Sequence, residues 1–489
     1  MAIYHWTGAA GTGAFATAGN WDPAANAPPG PSDLAIIVNA ATPISGTGTA
    51  QILNFGGTNG VEGHLTARYG CPVNENLTLL RGAILTTPKL HIVVDFSPNP
   101  PTTGVAMVTV GEHSRVVISG CNPPDTYAIS IANIVGKHGT LVVQGAHAVV
   151  DGGNQPMSVG QDGTGVLTIK KGAVVSVGNG DPIKYPWALV IGNHWHKLKP
   201  GSGTVEVSNA SLLVHGQVIV GRNTVGKLDV HERGLVVAED VAIGWAPDSG
   251  QGDQGKGSVT VKGSDARLIV DNSLEVGHMG VGSLTVAEHG FVSAGIAINV
   301  NGALSLADGQ IETTALGVYT GATLSGHGTV IASAGFNIND LGAITAHQQL
   351  NLIGDIDNAG TITVAAGGDL RCFGTLLDDQ GSIELQANSV ASLEAVGSGQ
   401  TITFAGNNAK LVLRSPGAFG GTIKNFGPTH SIELEAEVTL PPNFANGVLT
   451  LTGPGNNNVV AQLQMQGAIA YNTNSFNVVP GPPAVITYV

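Results

Sequence analysis

The chain has 489 residues, with 34 Asp and Glu against 20 Lys and Arg, a formal charge of −14, and only 11% charged residues. An acidic balance without clustered cations argues against nucleic acid and anionic membranes as partners, since both need Lys/Arg patches. Hydrophobic residues at 42% are ample for a core, yet no window reaches the roughly 18 uninterrupted apolar residues of a membrane span, so membrane insertion is not expected.

Residues 1–76 read as an N-terminal cap. They hold Trp6, Trp21 and the prolines Pro28, Pro29 and Pro31. A solenoid end exposes strand edges and an open core, and the aromatic residues are expected to plug it. The start, MAIYHWTGAAGTG, has neither a basic n-region nor an apolar h-region, so no Sec signal peptide is expected.

From 77 to 314 the text is repetitive. Short alternating strands open with Gly: GTLVV at Gly139, GVLTI at Gly165, GTVEV at Gly203, GKLDV at Gly226, GSVTV at Gly257 and GSLTV at Gly282. In the clearest stretch, Gly257 to Glu312, Val259/Val261, Leu284/Val286 and Leu304/Leu306 share one face while Thr260, Thr285 and Ser305 share the other, which is strand periodicity. A second phrase, an apolar run ending in Gly, closes at Gly111, Gly136, Gly160, Gly192, Gly221, Gly244 and Gly277. Those glycines are expected to take a positive φ or to allow a close approach between coils. Inserts at 178–187, 193–202 and 245–256 interrupt the period.

Residues 315–400 continue with shorter repeats, and 401–489 read as a C-terminal β cap or small β module. Gly supplies 71 residues, about twice the usual share, as tight corners between short strands require. A period of about 20–30 residues predicts a solenoid. The expected fold is all-β, a right-handed parallel β-helix of about 15–20 coils stacked at about 4.8 Å. Cys71, Cys121 and Cys372 form an odd set without a disulfide framework and are expected to be buried thiols.

The phrases LSGHGTV at Leu324, NAGTITV at Asn358 and DQGSIEL at Asp379 resemble the Gly-rich β-helical repeats of bacterial surface proteins, including autotransporter passengers and adhesins. The closing text ITF…LVLRSPGAFGGTIKNF…SIELE is similar to the C-terminal part of large repeat proteins of type I secretion, and the opening WTGAAGTGAFATAGNWDP is similar to their N-termini. The resemblance implies an extracellular or cell-surface bacterial protein. The chain has no C-terminal outer-membrane barrel and no tandem calcium-binding nonapeptides, so export of the autotransporter kind is not expected.

Few residues point to chemistry. Glu206 and Asp229 occupy the same outward position of successive opening strands, so stacking places them about 4.8 Å apart. That separation is near that of a retaining glycosidase pair, and it also suits a cation. The simplest alternative is two solvated charges relieved by Lys227. His194 and His196, one residue apart in an insert, can chelate a metal, with Asp181 or His215 as further ligands. Asp248 and Asp253 in a Gly-rich insert are a candidate calcium site. Tyr185, Trp187, Trp195 and Trp245 follow corners of nearby coils and suit sugar stacking or protein contact.

The leading expectation is a secreted or surface structural protein: a rod, an adhesin, or a self-associating filament or matrix subunit. It requires no cofactor, and calcium is the ion its inserts suggest. Its expected partners are further copies of itself, polysaccharide or other surface proteins. The alternatives are a polysaccharide lyase, hydrolase or depolymerase acting at Glu206 and Asp229, and non-catalytic carbohydrate binding.

Overall fold

The computed structural model describes residues 1–22, 27–92, 104–120, 127–178, 187–193, 201–246, 255–377, 380–439, 441–455, 458–467 and 471–489. Cys121, Tyr185, His194, Trp195, His196, Asp248 and Asp253 lie outside them, as does Asp181. The described chain is all-β, with three short 3-10 turns and no α-helix. Its strands form a long, mostly parallel sheet in which each strand pairs with its equivalent one repeat on, an arrangement consistent with a β-solenoid. The chain forms two compact units, residues 1–271 with 277–283 and residues 272–276 with 284–489.

In the first unit the Gly-opened phrases become one ladder. Strands His138–Gln144, Thr164–Lys170, Ser202–Ser208, Val225–His231 and Lys256–Lys262 stack parallel without a register slip. Alternation sends Leu141, Leu167, Val205, Leu228 and Val259 into one buried column. Burying each such side chain contributes about 1.5–3 kcal/mol. A one-residue slip would turn every one of them to solvent. A second ladder runs through Val149–Asp151, Val174–Gly178 and the first halves of Ser211–Arg222 and Leu235–Trp245. A third runs through Leu90–Ile92, Ile129–Ile131, Met157–Val159, Trp187–Asn193 and the second halves of those two long strands.

Two kinds of corner join these ladders. Between the first and second ladders the chain turns through a left-handed residue that is exposed and of any type: His113, His147, Lys171, Asn209 and Asp265 have φ between 46° and 65°. The corner closing the third ladder is different. Gly160, Gly192, Gly221, Gly244 and Gly277 have φ from 70° to 85°, and at the first four a Cβ would lie 1.9–2.4 Å from a backbone oxygen of a neighbouring coil. Both of the reasons expected therefore hold at those four, while Gly136, also expected here, has a positive φ of 72° with open space around a Cβ. Gly111 has no positive φ and meets only the close approach, 2.9 Å from the Leu79 oxygen.

At the start of this unit Ile3–Trp6 lies between Trp21–Asp22, antiparallel, and Leu34–Val38, parallel. Trp6 and Trp21 are buried, packed edge-on at 5.0 Å, with Phe15 at 4.9 Å from Trp21. The Trp21 Nε1 donates to the Phe15 carbonyl at 2.9 Å, which satisfies its polar handle.

The second unit repeats with less interruption. Leu304, Leu324, Ile344, Ile362, Ile383, Ile402 and Ile423 form one unbroken, fully buried column. Parallel pairing continues through Thr401–Phe404, Lys410–Leu413, Thr422–Lys424 and Ser431–Leu434. Beyond these, antiparallel pairing takes over: Ala484–Tyr488 joins Ser431–Leu434 on one side and Phe476–Val479 on the other. Val459–Gln466 extends the Thr422–Lys424 ladder and carries Val448–Thr452 and Asn443–Ala445 as an antiparallel meander. Phe426, Phe444, Tyr471 and Phe476 pack together there, with Phe444 and Phe476 centroids 5.4 Å apart.

Cys71 and Cys372 are free, buried thiols, as expected. Burial pushes both up, Cys372 to about 12, so neither is a nucleophile at neutral pH.

Candidate functional site

Two groups of side chains in the first unit carry chemistry. The first is the carboxylate pair. Glu206 and Asp229 are register partners on Ser202–Ser208 and Val225–His231, between Thr168 and Thr260 of the adjoining strands. Their carboxylates are engaged separately. Glu206 Oε1 meets His231 Nε2 at 3.0 Å, diagonally across the ladder, a contact that is ionic when His231 is protonated. Asp229 Oδ2 meets Lys227 Nζ at 2.7 Å on its own strand. The arrangement is an Asp–Lys ion pair and a Glu–His contact on a partly exposed strand face.

The second group is built by the glycine corner. Because each corner glycine occupies the same place in its coil, the residue after it is delivered to the same edge of successive coils. Those residues are Gln161, Asn193, Arg222, Trp245 and His278. Asn193, Arg222 and Trp245 are in direct register. The Arg222 guanidinium lies over the Trp187 ring, 3.8 Å from its centroid. Asn193 Nδ2 donates to the Tyr127 hydroxyl at 3.2 Å. The Trp245 and His278 rings stack with centroids 4.2 Å apart and 26° between planes. Burial depresses the Arg222 pKa, opposed by the Tyr127 hydroxyl. Arg222, Trp187 and Trp245 are all half-buried, so the edge combines a partly desolvated cation with flat π surfaces.

Trp245 thus lies in the corner register, while Trp187, paired with Gln217 at the start of its strand, is joined to that corner through the Arg222 guanidinium over its ring. Sequence reading missed Arg222, Asn193, His278 and Tyr127. A signal for three of them was present: the dipeptides Gly192-Asn193, Gly221-Arg222 and Gly277-His278 repeat the spacing of Gly244-Trp245. Tyr127 carries no such mark. His215, weighed as a metal ligand, is an exposed residue opposite Gly178. Among the described residues no group of three or more His, Cys, Asp or Glu can hold a metal ion, and no helix is long and apolar enough to cross a membrane.

The chain matches no family model and no curated protein.

Proposed function

We propose that the parallel ladders are right-handed parallel β-helices, as the crossover rule favours, and that the protein is a structural component of a bacterial surface or extracellular matrix. The observation that carries this reading is the unbroken column from Leu304 to Ile423. It spends the sequence on one repeated inward contact and leaves short Thr- and Ser-rich strands outside. The resemblance of the phrases at Leu324, Asn358 and Asp379 to surface repeat proteins points the same way.

Self-association is part of the proposal. Among the described residues Asn443–Ala445 pairs with Val448–Thr452 alone and Phe476–Val479 with Ala484–Tyr488 alone, and an open strand edge is a template for a second chain. Negative-stain electron microscopy with light scattering, across concentration and with and without calcium, tests it. Ordered filaments, sheets or defined oligomers are the expected result. Monomers at every concentration and calcium level would remove self-association from the proposal.

A further inference from the structure

The glycine corner of the first unit holds its backbone geometry constant while the side chains it presents differ. A column that serves only coil stacking gains most from like residues, as in Asn ladders or aromatic stacks. This one places a guanidinium, an indole and an imidazole at the half-buried Arg222, Trp245 and His278 beside the buried amide of Asn193, with Trp187 and Tyr127 packed against Arg222 and Asn193. All six act as hydrogen-bond donors or flat ring faces, and none is a carboxylate, in a chain of net charge −14.

We propose that this edge is a binding site for an acidic polysaccharide. A sugar ring lies on the exposed part of the Trp245 indole, and its anionic group takes a forked contact from the Arg222 guanidinium one coil away. An indole face accepts the apolar side of a pyranose, and a guanidinium matches a carboxylate or sulfate in two-point geometry. The Trp187 ring and the Tyr127 hydroxyl fix the plane of the guanidinium, so little side-chain entropy remains to be lost on binding. Asn193 is fully buried and its Nδ2 donates to the Tyr127 hydroxyl, so it positions Tyr127 from below and does not meet the glycan. The proposal is independent of assembly, because a chain that never associates can still bind a glycan.

Calorimetric titration of the full-length protein at about 0.15 M salt tests it, where fields beyond about 8 Å are screened. The probes are polygalacturonate for a uronate, dextran sulfate for a sulfate ester, and dextran as the neutral polymer. Binding of one or both anionic polymers and not of dextran is expected. Trp245→Ala should abolish it, and Arg222→Lys should weaken it about tenfold, since a point charge replaces a fork. Glu206→Gln, remote in chemistry from the edge, should leave it unchanged. Thermal melts followed by circular dichroism report folding, and if Trp245→Ala unfolds, Trp245→Phe and Arg222→Lys carry the test. Failure to bind either anionic polymer, equal binding of dextran, or affinity unchanged in folded Arg222→Lys would overturn the proposal.

Discussion

The two units use the same inward chemistry and differ in what they do with their third ladder. In the first unit, Leu90–Ile92, Ile129–Ile131 and Met157–Val159 are buried on both faces, so the outward residues His91, Ser130 and Ser158 are buried too. In the second, the corresponding short strands keep an outward residue in solvent, exposed at Asn337 and half-exposed at Asp357. The lesson is that the glycine corner, with the Arg222 and Trp245 it carries, belongs to the first unit. The first unit departs from plain repetition within its parallel ladders, whereas the second does so in its antiparallel closing strands, and specificity is therefore sought along the ladders of the first.

The largest expected effect probes the corner that sets the first unit apart. Gly221→Ala brings a left-handed φ of 79° together with a Cβ 2.4 Å from the Lys256 backbone. In the second unit Gly321 has nearly the same φ, 77°, and open space around its missing Cβ. The conformational cost alone is about 1–2 kcal/mol, and overlap with a neighbouring backbone adds about 1–3 kcal/mol. Gly221→Ala should thus lose about 2–5 kcal/mol and Gly321→Ala about 1–2 kcal/mol in denaturant unfolding. Equal losses would mean that the corner is not the rigid rack inferred for it.

How much was legible in the sequence follows from the same glycines. Alternation of Leu, Val and Ile with Thr and Ser fixes which side of a strand is buried, so the inward columns at Leu228 and Ile362 were readable from text alone. Gly closing the apolar runs at Gly160, Gly192, Gly221 and Gly244 was readable because those corners combine a positive φ with a close approach, whereas the equivalent corner one coil earlier is taken by Ala132 at φ 57°. Register of the Gly-opened strands was readable too, since Gly203 pairs with Gly226 and Glu206 with Asp229, but the choice of side-chain partner was not. The stacking of Glu206 on Asp229 could be expected from equal positions in the phrase, but the separate capture of Glu206 by His231 depends on a diagonal reach that spacing does not encode. Arg222 escaped notice for a similar reason. Its contact with Trp187 joins residues far apart in sequence on adjoining coils, and a lone Arg after Gly carries no chemical signal by itself.

A smaller effect sharpens the contrast in burial. Desolvation, reinforced by Lys89, holds the His91 pKa down from 6.5 to about 4. The folded chain therefore resists a proton that the unfolded chain accepts, so the cost is absent above about pH 6.5 and grows as pH falls towards 4. At about 1.4 kcal/mol per pH unit, the loss reaches roughly 3 kcal/mol when both states are protonated. His91→Gln should flatten the pH dependence of unfolding by that amount between pH 6.5 and 4. An identical pH profile in wild type and variant would show that this ladder is not closed to water.

The smallest effect concerns the face on which catalysis was weighed. Glu206 and Asp229 sit in a Glu–His contact and an Asp–Lys ion pair on a partly exposed strand face, with Glu206 43% and Lys227 51% accessible. Exposed pairs contribute about 0–1 kcal/mol because water and salt compete for both partners. Glu206→Gln, Asp229→Asn and Lys227→Ala should each shift stability by less than about 1 kcal/mol, and the shift should shrink as salt is raised. The same variants discriminate function. A retaining glycosidase needs its two carboxyl groups to act on one bond from opposite sides, whereas here Glu206 is engaged by the His231 ring and Asp229 by Lys227. Reducing-end assays on neutral and acidic polysaccharides should accordingly give no activity that Glu206→Gln or Asp229→Asn removes. Loss of a measurable cleavage in both folded variants would instead make this strand face an active site, and the first unit would then be a catalytic body rather than a binding one.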